Sequence, residues 1–169
     1  MFKQKEIIAK RLAHLEKMRG YLAYSSRRMH AGEIAGKNLQ TLPDADAEIL
    51  AAFRARFAEY QEHIGKLLKA IALEEGVKVV GISDVLAFAE KAGMIGGERD
   101  WKEPRDVRNA ISHEYEEDAE TLSVLIGEML NLVEPLMDIH RRAGQYCQDK
   151  LGISMSWPDG SQALYPHRG

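Results

Sequence analysis

The chain has 169 residues, a length suited to one compact domain, and no run of roughly 18 consecutive apolar residues that would span a bilayer. With 45% hydrophobic and 29% charged residues it has the balance of a soluble globular protein, and its Ala, Leu, Glu, Lys and Arg favour helices. Its 23 Lys and Arg against 26 Asp and Glu give a net charge of −3, which excludes global basicity and requires any nucleic-acid site to be local.

Met1 to Glu6 is charged and is not followed by the apolar core of a secretory signal, and the single Cys147 excludes an internal disulfide framework; both features suit a reducing cytoplasm. From Lys3 to about His30, Ile8, Leu12, Leu15, Leu22 and Met29 recur at helical spacings and predict a first helix with one buried stripe. Arg19 and Ser26 interrupt that stripe, facing either a polar cleft or partner, or solvent through a bend. Gly32, Gly36, Asn38 and Pro43 punctuate a loop, after which Asp44 or Asp46 is placed to cap a second helix.

In that helix Leu50, Phe53, Phe57, Tyr60, Ile64, Leu67 and Ile71 alternate spacings of three and four, the seam of long helices packed at a small crossing angle. Gly76 stops it. The β-branched stretch 77–82 lacks a partner strand and reads as a connector. Ser83 is positioned to cap a third helix running to about Ala92. Asp100 to Glu103 has the form of a capping box for a fourth, with Pro104 in its first turn and Arg105 to about His113 in its body.

A fifth helix, from about Asp118 to Lys150, carries a wide apolar face from Leu122 to Met137 and a kinking Pro135. That face serves either a core plus a second subunit, or a helix buried on several sides within one chain. The whole predicts an all-α antiparallel bundle of about five helices over 1–151, followed by an extended or disordered tail over 152–169.

Phosphate-binding glycine loops, nucleophile elbows, His-Glu-x-x-His and paired-cysteine motifs are absent, so no metal or cofactor is expected. The six histidines are scattered, and Cys147 has no evident base partner. One stretch stands apart: Arg105-Asp106-Val107-Arg108-Asn109-Ala110-Ile111-Ser112-His113-Glu114-Tyr115. On a helix Arg105, Asn109 and His113 form one row, in which the Asn109 amide can hold the imidazole in one tautomer. Arg108 and His113, five apart, sit about 140° apart around the axis. They converge on one point only if the helix ends near Ser112, or if side chains meet across a symmetric pair of subunits.

Residues 108–115 resemble the Arg-x4-His-x-Tyr motif of HEPN-domain proteins, in particular the HepT-like branch, and Phe88 to Ile95 followed by Asp100-Trp101 is similar to the approach to that motif. The resemblance covers 85–118 in detail and about 1–150 in helix order. It implies a homodimer, an up-and-down four-helix core and a metal-independent endoribonuclease leaving cyclic phosphate ends, with Arg108, Asn109 and His113 at the site. It further implies a type VII-like toxin–antitoxin pair in which a minimal nucleotidyltransferase silences the toxin by adenylylating Tyr115. Lys102 and Arg105, with Arg99, are the nearby cations for RNA, set against an acidic run of Glu114, Glu116, Glu117 and Asp118. The alternative function is a non-catalytic helical partner or substrate-presenting subunit of such a nucleotidyltransferase.

Overall fold

The computed structural model describes residues 2–114 and 118–155, with side chains for all of these except Phe2, His113 and Glu114. Among them every secondary-structure element is a helix: α1 (Phe2–Ala31), α2 (Asp44–Glu74), α3 (Ile82–Lys91), α4 (Glu98–Glu114) and α5 (Ala119–Leu151), with one 3-10 turn at Ile34–Gly36. No described helix is long and apolar enough to cross a membrane.

Contacts across the bundle give the helix directions. Gln4 Nε2 donates to the Ala70 carbonyl at 3.3 Å, the His14 and His63 rings meet at 5.1 Å, and Arg56 donates to Ser25 Oγ at 2.8 Å. Rising numbers on α1 thus meet falling numbers on α2, so the two are antiparallel. Trp101 sits against Gly65, and Arg108 against Ala58 and Gln61, which makes α4 antiparallel to α2. Tyr60 pairs with His140, and Tyr146 donates to Glu75, so α5 runs parallel to α2. Helices α1, α2, α4 and α5 therefore alternate up and down, with α3 as a short link.

The apolar periodicity explains this packing. All seven seam residues of α2 are buried, as are Ile8, Leu12, Leu15, Leu22 and Met29 of α1. On α5, Leu122, Ile126, Met129, Val133, Leu136 and Met137 are covered within the single chain, whereas Leu125 and Leu132 are half-buried. The wide face is thus largely consumed by the chain's own core. Arg19 and Ser26 are buried too, rather than turned to solvent, and Arg19 is ion-paired with Glu16 one turn away.

Two of the helix starts differ from expectation for one reason. Both short helices begin after a glycine and use an aspartate in the first turn to reach backward. The Asp84 carboxylate accepts from the Val80 and Gly81 N–H groups at 2.9 and 3.1 Å, bonds that hold its pKa below the usual carboxylate range; Ser83 caps nothing. Asp100 accepts from Gly96 N–H at 2.8 Å, so α4 starts at Glu98, earlier than the expected box, and Pro104 falls inside the helix instead of its first turn. Neither Asp44 nor Asp46 caps α2, whose N-cap is Pro43; Asp46 instead binds Lys37 at 2.7 Å. Gly76 ends α2 in the left-handed region at φ 79°, where a side chain would be strained. Of the expected tail, residues 152–155 are non-helical with Ile153 and Met155 packed on the core, and 156–169 lie outside the described residues.

At the bundle centre the Tyr60 hydroxyl and His140 Nδ1 are hydrogen-bonded at 2.6 Å, with both residues fully buried. Burial first, then the Arg19 charge, lowers the His140 pKa to about 3, and burial raises that of Tyr60. The imidazole is therefore neutral in the fold and protonates at its ordinary value, near 6.5, only when unfolded. Its contribution to stability is complete above about pH 6.5 and is lost as the pH falls toward 3, by up to about 1.4 kcal/mol per pH unit. Denaturant titrations should show this slope in the wild type and a flatter one in His140→Gln; equal slopes would contradict it.

Gly65 marks the closest approach of α2 and α4: a Cβ there would lie 2.7 Å from Trp101 Cζ2. Because the Trp101 ring is buried and cannot swing away, Gly65→Ala should destabilise the fold by about 1–3 kcal/mol, read as a lowered Tm with altered tryptophan emission.

Candidate active site

The last two turns of α4 carry positions 108–114 of the motif. Val107 and Ile111 are buried and hold this helix against the bundle, so Arg108, one position beyond Val107, lies at the seam with α2. Its Nη1 donates to Gln61 Oε1 at 2.8 Å and to the Ala58 carbonyl at 3.3 Å. Gln61 is itself buried, so the guanidinium is fixed by a rigid neutral partner rather than by a carboxylate. Among the described residues Nε and Nη2 make no hydrogen bond, which leaves one edge of the fork and the full charge available to an anion.

Asn109 is exposed on the next face, in the helical row that runs from Arg105 to His113. The helix continues to Glu114, and the Ser112 hydroxyl donates back to the Arg108 carbonyl at 3.2 Å. Helical backbone thus extends through position 113 and ends at Glu114, two residues past Ser112. Positions 108 and 113 remain about 140° apart on one regular helix. The imidazole of His113 and the whole of Tyr115 lie outside the described residues, as do Glu116 and Glu117. Asp118 is the N-cap of α5, accepting from Thr121 Oγ1 at 2.7 Å and from Glu120 N–H at 2.9 Å, bonds that lower its pKa. Its charge thus faces a helix N-terminus, where it is stabilising.

The nearby cations are mostly matched locally. Lys102 pairs with Glu98 at 3.1 Å, Arg99 with Glu103 at 3.8 Å and Arg105 with Asp106 at 3.5 Å, all on α4's exposed side. Such pairs contribute little stability, but they cancel much of the field that would attract phosphate. The groove beside them, about 570 Å³, is lined by Glu98, Glu103, Asp106 and Glu128 against Arg99 and Lys102. Arg108 is the motif-helix cation that the fold keeps free of carboxylates among the described residues.

Cys147 is fully buried, and burial pushes its thiol up to about 12, so it is protonated and inert at neutral pH. No cluster of three or more His, Cys, Asp or Glu side chains among the described residues is arranged to hold a metal ion. Gln61 is the site residue that sequence reasoning missed. Its signal was faint: a polar residue directly after Tyr60, beside an otherwise apolar seam.

Comparison with protein-family models, with curated proteins and with solved structures returns no match.

Gln61→Ala removes the partner that aims Arg108 while leaving the charge in place. The expected result is a loss of about 1–3 kcal/mol in stability from the partly buried guanidinium left short of an acceptor. Gln61→Glu supplies a charged acceptor there and should recover that stability; chemical denaturation of the two variants checks both.

Proposed function

We propose that this chain is a HepT-like toxin: a homodimeric, metal-independent endoribonuclease whose site joins Arg108 and His113 from two copies of α4, and which a minimal nucleotidyltransferase silences by adenylylating Tyr115. One observation carries the reading. Positions 108 and 113 of the Arg-x4-His-x-Tyr sequence lie in the last two turns of the fourth helix of an up-and-down bundle, where Arg108 is held at a helix seam with, among the described residues, an open hydrogen-bonding edge.

The chemistry asks little of the protein beyond these groups. The neutral His113 imidazole takes the proton of a ribose 2′-OH, the 2′-oxygen attacks phosphorus as the bond to the 5′-oxygen breaks, and the 5′-oxygen takes up a proton from water, whose hydroxide the new imidazolium neutralises, giving a 2′,3′-cyclic phosphate. Arg108 binds the phosphate and stabilises the extra negative charge of the pentacoordinate transition state. Asn109 orients His113 or the phosphate, and Lys102 and Arg105 flank the approach. Because positions 108 and 113 face apart on one helix, two-fold symmetry supplies the opposing pair. Adenylylation of Tyr115 adds bulk and a negative phosphate beside these cations and so blocks an incoming RNA.

A second reading has one observation in its favour. Arg108 is hydrogen-bonded to α2, so its role is equally explained as a strut between helices in a non-catalytic partner of the nucleotidyltransferase.

The two separate on one assay. In the ribonuclease reading the purified chain cuts RNA to cyclic-phosphate ends in the presence of EDTA, and His113→Ala lowers the rate by about 10²–10⁴-fold with an unchanged Tm. Arg108→Lys, which keeps the charge but loses the fork, falls at least tenfold. Cleavage by His113→Ala at the wild-type rate would remove His113 from the mechanism, and absence of cleavage by the wild-type dimer would favour the partner role.

A further inference from the structure

The charge of −3 is very unevenly divided. Helix α1 holds eight Lys and Arg against two Glu, a surplus of six positive charges, so the rest of the chain is correspondingly acidic. One of those two acids, Glu16, is already tied to the buried Arg19. Lys17, Arg27 and Arg28 are exposed and, among the described residues, form no ion pair, in contrast to the matched cations of α4.

The exposed face of α1 also carries aromatic rings in register with those charges. His14, Lys17, Tyr21, Tyr24 and Arg28 follow at spacings of three and four, so they form one stripe about 21 Å long turned away from the core. Tyr21 and Tyr24 are 57% and 54% exposed, high values for large rings. Tyr21 is braced from α2: the Arg56 guanidinium lies 5.4 Å from its ring centroid and donates to the Tyr21 carbonyl at 3.3 Å and to Ser25 Oγ. His63 closes the other end against His14. The carboxylates acting on His63 are Glu59 and Glu62, and Glu62 is paired with Lys66.

We propose that this stripe of α1, with Arg56 beside it, is a docking surface for single-stranded RNA. Unpaired cations supply attraction to the phosphates, and two open tyrosines one turn apart supply faces on which neighbouring unpaired bases stack. Paired bases in a duplex cannot stack this way, which selects the single strand. The stripe lacks the aliphatic residues that a helix lying in a lipid surface buries. As the place where substrate is held, the surface rests on the ribonuclease reading; as a binding surface it stands without it. It lies on the opposite flank of α2 from Arg108, since Arg56 and His63 share one side of that helix while Ala58 and Gln61 share the other. RNA held on α1 is therefore gripped away from the scissile bond.

The test is fluorescence anisotropy of a labelled, mixed-sequence single-stranded RNA of about 20 nucleotides, titrated with the full chain carrying His113→Ala so that the RNA stays intact. Lys17→Glu with Arg28→Glu should weaken binding at least tenfold, and Tyr21→Ser with Tyr24→Ser about tenfold, both with unchanged helical circular dichroism. Three cations in contact, Lys17, Arg28 and Arg56, predict a slope of about −2 for log affinity against log salt. Unchanged affinity in both double variants would overturn the proposal, and so would polyglutamate competing as well as RNA, since that would make the face a site for an acidic protein. RNA binding that depends on the stripe, without cleavage by the wild type, would sink the ribonuclease reading and leave this one standing. Cleavage by the wild type, together with stripe variants that bind normally, would do the reverse.

Discussion

The bundle is organised around α2, and the hydrogen bond between Tyr60 and His140 fixes how α2 meets α5. A buried hydroxyl and a buried imidazole are each costly without a partner, so at 2.6 Å the pair admits one register of these two parallel helices. Apolar seams alone tolerate sliding by a turn, whereas a single buried polar pair does not. With α5 set, α4, which packs along it, meets α2 on the flank away from α1. There Gly65 gives Trp101 the space it needs, and Gln61 and Ala58 receive Arg108. One helix therefore holds both the polar centre and the acceptors for the motif arginine.

Charge is divided along the same lines. The basic side of the molecule is α1, whereas the motif helix and the adjacent groove are rich in carboxylates. A nuclease built this way would attract RNA at one surface and cut it at another, so that affinity and chemistry are set by different residues. In such a nuclease the acidic surroundings of the motif would act as a filter, admitting a phosphate to Arg108 only when the strand is already held elsewhere. The mildly acidic net charge is compatible with RNA as a substrate because attraction depends on local potential within a screening length of about 8 Å, not on the sum over the chain.

Much of the fold was legible from periodicity, because the α2 seam and the α1 stripe alternate spacings that only a helix places on one face. Helix starts were less legible. Ser83 has the chemistry of a cap, but Gly81 and the Gly96-Gly97 turn allow aspartates in the following turn to reach back instead, while α2 starts after Pro43 with Asp46 bound to Lys37, choices made by loop geometry that spacing does not encode. The burial of Arg19 and the partner of His140 depend on helices far apart in sequence. For the motif, the row Arg105, Asn109 and His113 follows from helical geometry, but the seat of Arg108 on Gln61 requires knowing which helix lies opposite. The basic face of α1 was present in the sequence all along; it is hidden in the total charge and emerges once charges are counted helix by helix.

The central claim is that Arg108 and His113 act together across a two-fold axis because one helix cannot turn both to the same point. Mixing Arg108→Ala chains with His113→Ala chains tests it most directly. Each homodimer lacks one partner at both sites, but a mixed dimer regains one intact site that takes His113 from one chain and Arg108 from the other. After equilibration of equal amounts, RNA cleavage should return to about a quarter of the wild-type rate, since half the dimers are mixed and each has one working site. If chain exchange is verified and the mixture remains as inactive as either variant alone, Arg108 and His113 do not meet across the dimer and the account is contradicted.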